Sequence, residues 1–231
     1  MTQNLGMQNN KLEYLKLHIS VLLAGFTGLL AKLTSLNEVM IVWYRMLFAF
    51  VIFSVMLLIM KKKPAENIKD ALKITGLGAL LAIHLIFFFG SMKYATLSIG
   101  VVCYSLVGFF TVIMEPLVLK TKFSFLELFY SLIAVLGIGL IFNFDTSYRF
   151  GIVLGVISAA LFALYTLFNK TILQGKSSRS MLFYELFGGA LFMGLFLPIY
   201  IPISHTTQIL PIGLDWLWLI LLAFFCTVIL Y

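Results

Sequence analysis

Ionisable side chains inside long apolar runs are the groups in this sequence that could do chemistry. Glu115 precedes Pro116 in the apolar run 109–119, and two lysines follow that run. Pro116 cannot donate a backbone hydrogen bond, so the carbonyl group of Val112 loses its usual partner if the run is helical. Within a bilayer, such a gap is tolerated only where other protein groups or water satisfy it. We therefore predict that Glu115 faces a cavity, whereas pairing with a nearby lysine is the structural alternative.

Arg45 is the second such group, and it lies about two turns into its apolar run. At 1.5 Å per residue, this places it roughly 9 to 10 Å below a bilayer surface. The nearest carboxylate in the sequence, Glu38, is two turns back, so a local ion pair is not expected. A guanidinium at that depth is costly unless it meets water, a partner helix or an anionic solute. We predict that Arg45 lines the cavity and favours solutes with a carboxylate or phosphate; a structural ion pair, or a side chain that reaches the headgroups, is the alternative.

Lys32 and Glu185 lie closer to the ends of their runs and have stronger structural alternatives. Lys32 is one turn from the end of its run, where a long side chain can reach the headgroups. Glu185 is one turn from the end of its run and could pair with Lys170 or Arg179.

Three ring-bearing residues complete the set of candidates. His84 lies deep in its run, although a lone histidine is more often a packing residue than a proton carrier. Tyr104 could line a cavity or bond to a neighbouring helix, and Tyr44 fits an aromatic belt near a bilayer surface. The candidate cavity residues are therefore Lys32, Tyr44, Arg45, His84, Tyr104, Glu115 and Glu185.

The composition indicates the class of protein that positions these groups. Of the 231 residues, 62% are hydrophobic and 11% are charged, whereas a soluble domain is near half apolar and a quarter charged. The apolar excess extends along the whole chain, so we predict an all-α polytopic membrane protein. The net charge of +7 comes from basic residues between the apolar runs, which favours a topology signal over nucleic-acid binding. Cys103 and Cys226 lie within apolar runs, so we predict no disulfide framework, no metal site and no cofactor.

Eight apolar runs are predicted to be transmembrane helices. Polar or basic residues separate them, including a charged segment at 65–73 that is predicted to be a loop, with a short amphipathic helix as the alternative. The runs are 18–36, 39–60, 74–89, 95–119, 125–144, 150–173, 181–203 and 214–231.

The basic residues between these runs predict the orientation. Alternate connections place twelve lysines and arginines on one side and two, Lys93 and Arg149, on the other. Because cytoplasmic connections carry the excess of Lys and Arg, the N-terminus is predicted to be cytoplasmic.

An internal repeat is suggested by two similar segments, 43–48 and 183–188. Each begins a few residues into the run that follows a helix ending near a lysine. If five runs form one unit, the odd number inverts the second copy relative to the first. Inverted repeats are common in secondary transporters, with the binding site near the midplane between the halves. The predicted organisation is a cytoplasmic segment 1–17, a first five-helix repeat 18–144, and an incomplete second repeat 150–231.

Four segments carry a resemblance to a known family. They are GFTGLLAK at 25–32 with the Arg45 run after it, FFTVIMEPLVLKTKFSFLELF at 109–129, GIGLIF at 137–142, and CTVILY at 226–231. With these, the sequence resembles the EamA family of the drug/metabolite transporter superfamily. Members have ten helices in two inverted five-helix repeats, so this sequence is expected to be an incomplete version that stops after the eighth helix. The resemblance implies a secondary transporter, a permease or exporter of small metabolites such as amino acids or drug-like solutes, that works by alternating access.

Two other classes of protein were weighed against a transporter. A membrane-embedded enzyme is disfavoured because the sequence has no HExxH and no GxSxG motif. A non-transporting subunit or receptor is disfavoured only by the short connections. The predicted partners are a small-molecule solute and the lipid bilayer, without nucleic acid, and a homodimer is left open. The predicted location is the plasma membrane, specifically a bacterial inner membrane, with several passes.

Cysteine labelling tests the predicted topology. Ser147→Cys lies in a connection assigned to the outside, and Ser178→Cys in one assigned to the cytoplasm. An impermeant thiol reagent added to intact cells should label the first variant and not the second. The reverse pattern would contradict the assignment.

Overall fold

The chain is a bundle of helices. The computed structural model describes residues 2–62, 64, 66–142, 146–172 and 174–229. These residues form nine α-helices and no strand. The helices are α1 (Thr2–Lys32), α2 (Glu38–Ile59), α3 (Ile68–Tyr94), α4 (Leu97–Tyr104), α5 (Val107–Leu119), α6 (Phe125–Phe142), α7 (Arg149–Ile172), α8 (Ser178–Ser204) and α9 (Asp215–Ala223). A 3₁₀ turn at Thr146–Tyr148 precedes α7, and a π-helical segment at Phe224–Val228 extends α9.

Five spans in the described part of the chain are long and apolar enough to cross a bilayer. They are α2, α3, α4 together with α5, α7 and α8. Shorter apolar helices run over His18–Lys32, Phe125–Leu140 and Asp215–Val228. Counting α4 and α5 as one, the described residues contain eight helices, so the structure confirms the all-α polytopic class. The outward faces are apolar, as lipid contact requires.

Helix α3 begins earlier than predicted, at Ile68 and not at Ile74. The side chain of Asn67 accepts a hydrogen bond of 2.9 Å from the backbone N–H of Asp70 and so caps the first turn. The charged segment 65–73, predicted to be a loop or a short amphipathic helix, therefore includes the first turns of α3 and is not a separate element. Helix α1 likewise extends back to Thr2, through the segment that precedes the first predicted run.

The fourth predicted run is divided in two at Ser105 and Leu106. The Ser105 hydroxyl donates to the carbonyl of Val102 at 2.6 Å, and the backbone N–H of Leu106 bonds to Cys103 three residues back. A serine that bonds to its own backbone weakens the regular ladder. Pro116, in contrast, lies inside α5 and does not end it. The predicted residues 143–144 and 230–231 lie outside the described residues, as does residue 173.

The centre of the bundle is α3, which packs against α2, α4, α7 and α8. Its contact with α8 is unusually close because both helices carry glycine there. A Cβ atom added at Gly188 would overlap the backbone carbonyl oxygen of Thr75, and one added at Gly78 would overlap that of Glu185. Small residues allow such backbone approach between membrane helices. At the periphery, α6 packs mainly against α5 and carries exposed apolar side chains.

Polar contacts between connections define the two ends of the bundle. At what we call the lysine-rich end, Lys176 of the α7–α8 connection pairs with Asp70 and Glu66. The hydrogen bond to Asp70 raises the pKa of Lys176, so this contact stays ionised at neutral pH. At the opposite end, Lys93 pairs with Glu38 at 2.7 Å.

The glycine crossing gives a stability prediction. Gly188→Ala should lower the free energy of unfolding by about 1–3 kcal/mol, because the added methyl group meets backbone that cannot rotate away. Thermal unfolding of the purified protein in detergent measures the change. Gly194→Ala, on the same helix with no atom closer than 4.0 Å to the added Cβ, is the matched control and should not destabilise. Equal thermal shifts for both variants would contradict the close crossing.

Candidate functional site

A cavity of about 360 Å³ lies inside the bundle and is the candidate site. Its walls come from α1, α2, α3, α4, α7 and the π-helical segment. Three of the seven candidate residues, Arg45, His84 and Tyr104, line it together. The volume falls within the range of small-molecule sites, which are mostly apolar with a few polar groups.

Arg45 reaches the cavity from the middle of α2, where it is 8% exposed. Its Nε atom donates to the Thr227 hydroxyl, and its Nη2 atom donates to the carbonyl oxygen of Cys226, each at 2.9 Å. Both acceptors lie in the π-helical segment, and such segments are frequent at functional sites. The guanidinium carbon also lies 5.9 Å from the centre of the Phe89 ring, a cation–π contact. Arg45 therefore joins α2 to the end of α9 while its charge stays at the cavity.

His84 belongs to a group of ring-bearing side chains in the cavity wall, which we call the aromatic wall. Its members are His84, Phe88, Tyr104 and Phe162. The Nδ1 atom of His84 donates to the backbone carbonyl oxygen of Ser158 on α7 at 2.9 Å. The ring centre of Phe162 lies 4.7 Å from His84 and 5.2 Å from Tyr104. Phe88 lies 5.4 Å from Tyr104 and completes this wall. The cavity wall thus combines one cation with a cluster of aromatic rings that are tilted relative to one another.

Lys32 lines a second cavity, of about 400 Å³, at the opposite end from the lysine-rich end. The Glu38–Lys93 ion pair lies in the same cavity. The two cavities share Gly28 and Met92 in their walls. A Cβ atom on Gly28 would lie 2.9 Å from the methyl carbon of Met92, so there is little free space between these two residues.

Glu115 lies outside both cavities. Its carboxylate pairs with Lys170 of α7 at 3.0 Å, and both side chains are partly exposed. The prediction that Glu115 faces a cavity differs from this arrangement, which is closer to the alternative of a lysine pair. The partner is not a lysine close in sequence, because α5 packs against α7 and brings Lys170 to the carboxylate. An exposed pair of this kind contributes little to stability, typically about 0–1 kcal/mol.

Tyr44 and Glu185 also lie outside the cavities. The Tyr44 hydroxyl donates to the carbonyl oxygen of Ile209 at 3.2 Å and holds the α8–α9 connection. Glu185 is 1% exposed and pairs with neither of the two basic residues that the sequence offered. Its oxygens accept from the Tyr165 hydroxyl at 3.0 Å and the Asn169 amide at 2.8 Å.

Several residues of the site were not singled out from the sequence. Thr227 lies in the CTVILY segment, but its contact with Arg45 spans 182 residues and has no local signature. The spacing of Tyr165 and Asn169, four residues apart on α7, places them on one helix face, and this was an available signal. In the described part of the chain, no three His, Cys, Asp or Glu side chains are grouped as a metal site.

Comparison with known families identifies the family to which this chain belongs. The model of the EamA-like transporter family matches residues 11–143, more than half of the chain. The chain belongs to this family. It is a multi-pass membrane protein, and its family is the one that its motifs resemble.

Two further proteins are similar to this EamA-like chain, one in sequence and one in fold. A protein of Haemophilus influenzae described as an uncharacterized transporter is 26% identical over 191 residues, which cover 79% of this chain and 61% of that protein. The chain thus spans less than two thirds of the length of that relative. One crystal structure matches with a TM-score of 0.67 at 14% identity, covering 94% of this chain and 75% of the other. This second likeness concerns the fold alone.

The Arg45 contact gives a second stability prediction. Thr227→Val removes the acceptor of the guanidinium Nε, and it should lower the free energy of unfolding by about 1.5–3 kcal/mol, the range for hydrogen bonds to charged groups. Chemical or thermal unfolding in detergent measures this. Thr171→Val is the control, because the Thr171 hydroxyl bonds only within its own helix turn, to Leu167. If both variants unfold at the same temperature, the Arg45–Thr227 bond does not stabilise the bundle.

Proposed function

We propose that this EamA-like transporter is a secondary carrier that moves small anionic metabolites through the central cavity by alternating access. The observation that carries the proposal is the buried guanidinium of Arg45 in the wall of a mostly apolar cavity. A fixed positive charge in such a site attracts a carboxylate or phosphate, since the low dielectric strengthens the interaction. The aromatic wall supplies an apolar surface for the rest of the solute.

The pattern of helix contacts supports two inverted repeats. If α1, α2 and α3 correspond to α7, α8 and α9, the contact of α3 with α7 has a counterpart in that of α1 with α9. The contact of α3 with α8 likewise has a counterpart in that of α2 with α9. The pair α2 and α8 contact each other and would lie on the axis that relates the halves. In carriers built this way, the substrate site lies between the repeats.

The second cavity supplies a route to the central one. It opens beside Lys32 and the Glu38–Lys93 pair, and Met92 with Gly28 forms the boundary between the two. Methionine is unbranched and flexible, so rotation of the Met92 side chain is enough to connect the cavities. We assign the lysine-rich end to the cytoplasm of a bacterial inner membrane, following the distribution of basic residues. The second cavity then faces the outside.

Uptake into proteoliposomes tests the function. The full chain is reconstituted and supplied with labelled benzoate, glutamate or glycerol 3-phosphate, and with glycerol as an uncharged solute. Saturable uptake of at least one anion is expected. Arg45→Lys should reduce that uptake by about tenfold, because a lysine does not reproduce the paired hydrogen bonds of a guanidinium, each worth about 1.5–3 kcal/mol.

Arg149→Lys is the matched control, since Arg149 is exposed at the start of α7. This variant should transport like the parent chain. No saturable uptake of any of the three anions would contradict the proposal. An equal loss for charged and uncharged solutes, or a loss of folded protein, would assign Arg45 to holding the helices together.

A further inference from the structure

We propose that Glu185 is a proton-binding site coupled to the central cavity through Tyr165 and Phe162. The proton site itself does not depend on the proposed function. Only the coupling of the proton to transport rests on it. The site lies where α8 packs against α3 and α7, away from both cavities.

The carboxyl group of Glu185 is buried without a cation. It is 1% exposed and lies seven residues into α8, about 10 Å from the helix start at 1.5 Å per residue. Among the described residues, its hydrogen-bond donors are Tyr165 and Asn169, and both are uncharged groups. A carboxylate that is buried with only neutral donors is costly, and binding a proton removes this cost. Ionisable residues of this kind in membrane helices often form proton relays.

Charged groups on the neighbouring helices do not neutralise Glu185. Tyr165 of α7 is the titratable group that faces it, and Arg179 on α8 itself is exposed. Among the other charged or titratable groups on the packed helices, Arg45 bonds to Thr227, His84 to Ser158, Lys170 to Glu115 and Lys73 to Asp70, while Lys69 and Arg149 are exposed.

The partners of Glu185 suit both protonation states. In the structure, the Tyr165 hydroxyl donates to the carboxylate and accepts from the Asn169 amide at 3.0 Å. A hydroxyl group can rotate to accept a hydrogen bond as well. When the carboxyl group gains a proton, Tyr165 can therefore become its acceptor without movement of the heavier atoms. The O–H bond of Glu185 forms as one O–H bond of a hydronium ion breaks, and water is released, so no further reactant is needed.

Two contacts connect this site to its surroundings. Asn169 is half-buried near the end of α7, at the lysine-rich end, so the carboxyl group lies beside the part of the bundle that is open toward that end. In the other direction, the rings of Tyr165 and Phe162 lie 5.6 Å apart, and Phe162 contacts His84 in the wall of the central cavity. A change in the hydrogen bond of the Tyr165 hydroxyl can therefore reach the cavity wall through the contact between the rings of Tyr165 and Phe162.

Infrared spectroscopy of the full chain in lipid nanodiscs tests the proton site without any solute. Above about pH 6, where exposed carboxyl groups are ionised, the parent chain should show the C=O band of a protonated carboxyl group that disappears as the pH is raised further. Glu185→Gln, which keeps the size and hydrogen-bonding capacity of the side chain, should lose this band completely. Glu127→Gln is the control, because Glu127 is exposed at the start of α6, and it should retain the band. A band that persists in Glu185→Gln, or a parent chain without a titrating band, would overturn the proposal.

Tyr165→Phe supplies a second measurement if Glu185→Gln does not fold. Loss of the hydroxyl donor should shift the pH at which the band disappears, and an unchanged midpoint would overturn the assigned contact. The coupling is tested with glutamate in proteoliposomes, because it remains charged and does not cross the bilayer unaided. Glu185→Gln should lose the uptake that a pH gradient drives and keep glutamate exchange without a gradient; equal driven uptake in both proteins would overturn the coupling. Because the infrared result needs no solute, a failure of the transport function is distinguishable from a failure of the proton site.

Discussion

Helix α3 crosses α8 at glycine backbones, and this contact sets the spacing of the groups described above. Gly78 and Gly188 bring the two backbones to a distance that no side chain at either position would allow. The crossing buries Glu185 beside α7, and two turns further along α3 it places His84 at the cavity. In lipid there is little hydrophobic force between helices, so close packing and hydrogen bonds hold them together. A wider crossing would separate the buried carboxyl group of Glu185 from its hydrogen-bond donors. It would at the same time open the wall of the cavity.

Arg45 and Glu185, two of the buried ionisable groups, are stabilised in different ways. Arg45 has its own neutral acceptors in the π-helical segment and a ring face nearby. Its charge therefore remains in place, and a solute can use it. Glu185 has neutral donors and no counter-ion among the described residues. A permanent charge suits binding of an anion, whereas a group whose charge is costly suits transient occupation by a proton.

The sequence predicted the membrane class, most of the helices and three of the cavity residues, because these follow from composition and from depth along a helix. Arg45, His84 and Tyr104 could be selected since each lies well inside its run. The partner of a buried group could not be predicted in the same way. Arg45 bonds to a residue 182 positions away, and Glu115 pairs with Lys170 across a helix contact. Local features also misplaced boundaries: Asn67 caps α3 within a stretch whose charges had indicated a loop.

The bond between His84 and Ser158 has a consequence for biosynthesis. These residues are 74 positions apart, and at 5–20 residues per second the ribosome needs roughly 4 to 15 s to add the second after the first. For this time the imidazole of α3 lacks its final acceptor, which is costly in hydrocarbon. The nascent chain must therefore keep α3 next to polar groups of the insertion machinery, or of its own earlier helices, until α7 emerges. Assembly of this bundle thus includes a delay of seconds in which the half-made protein is open to proteolysis.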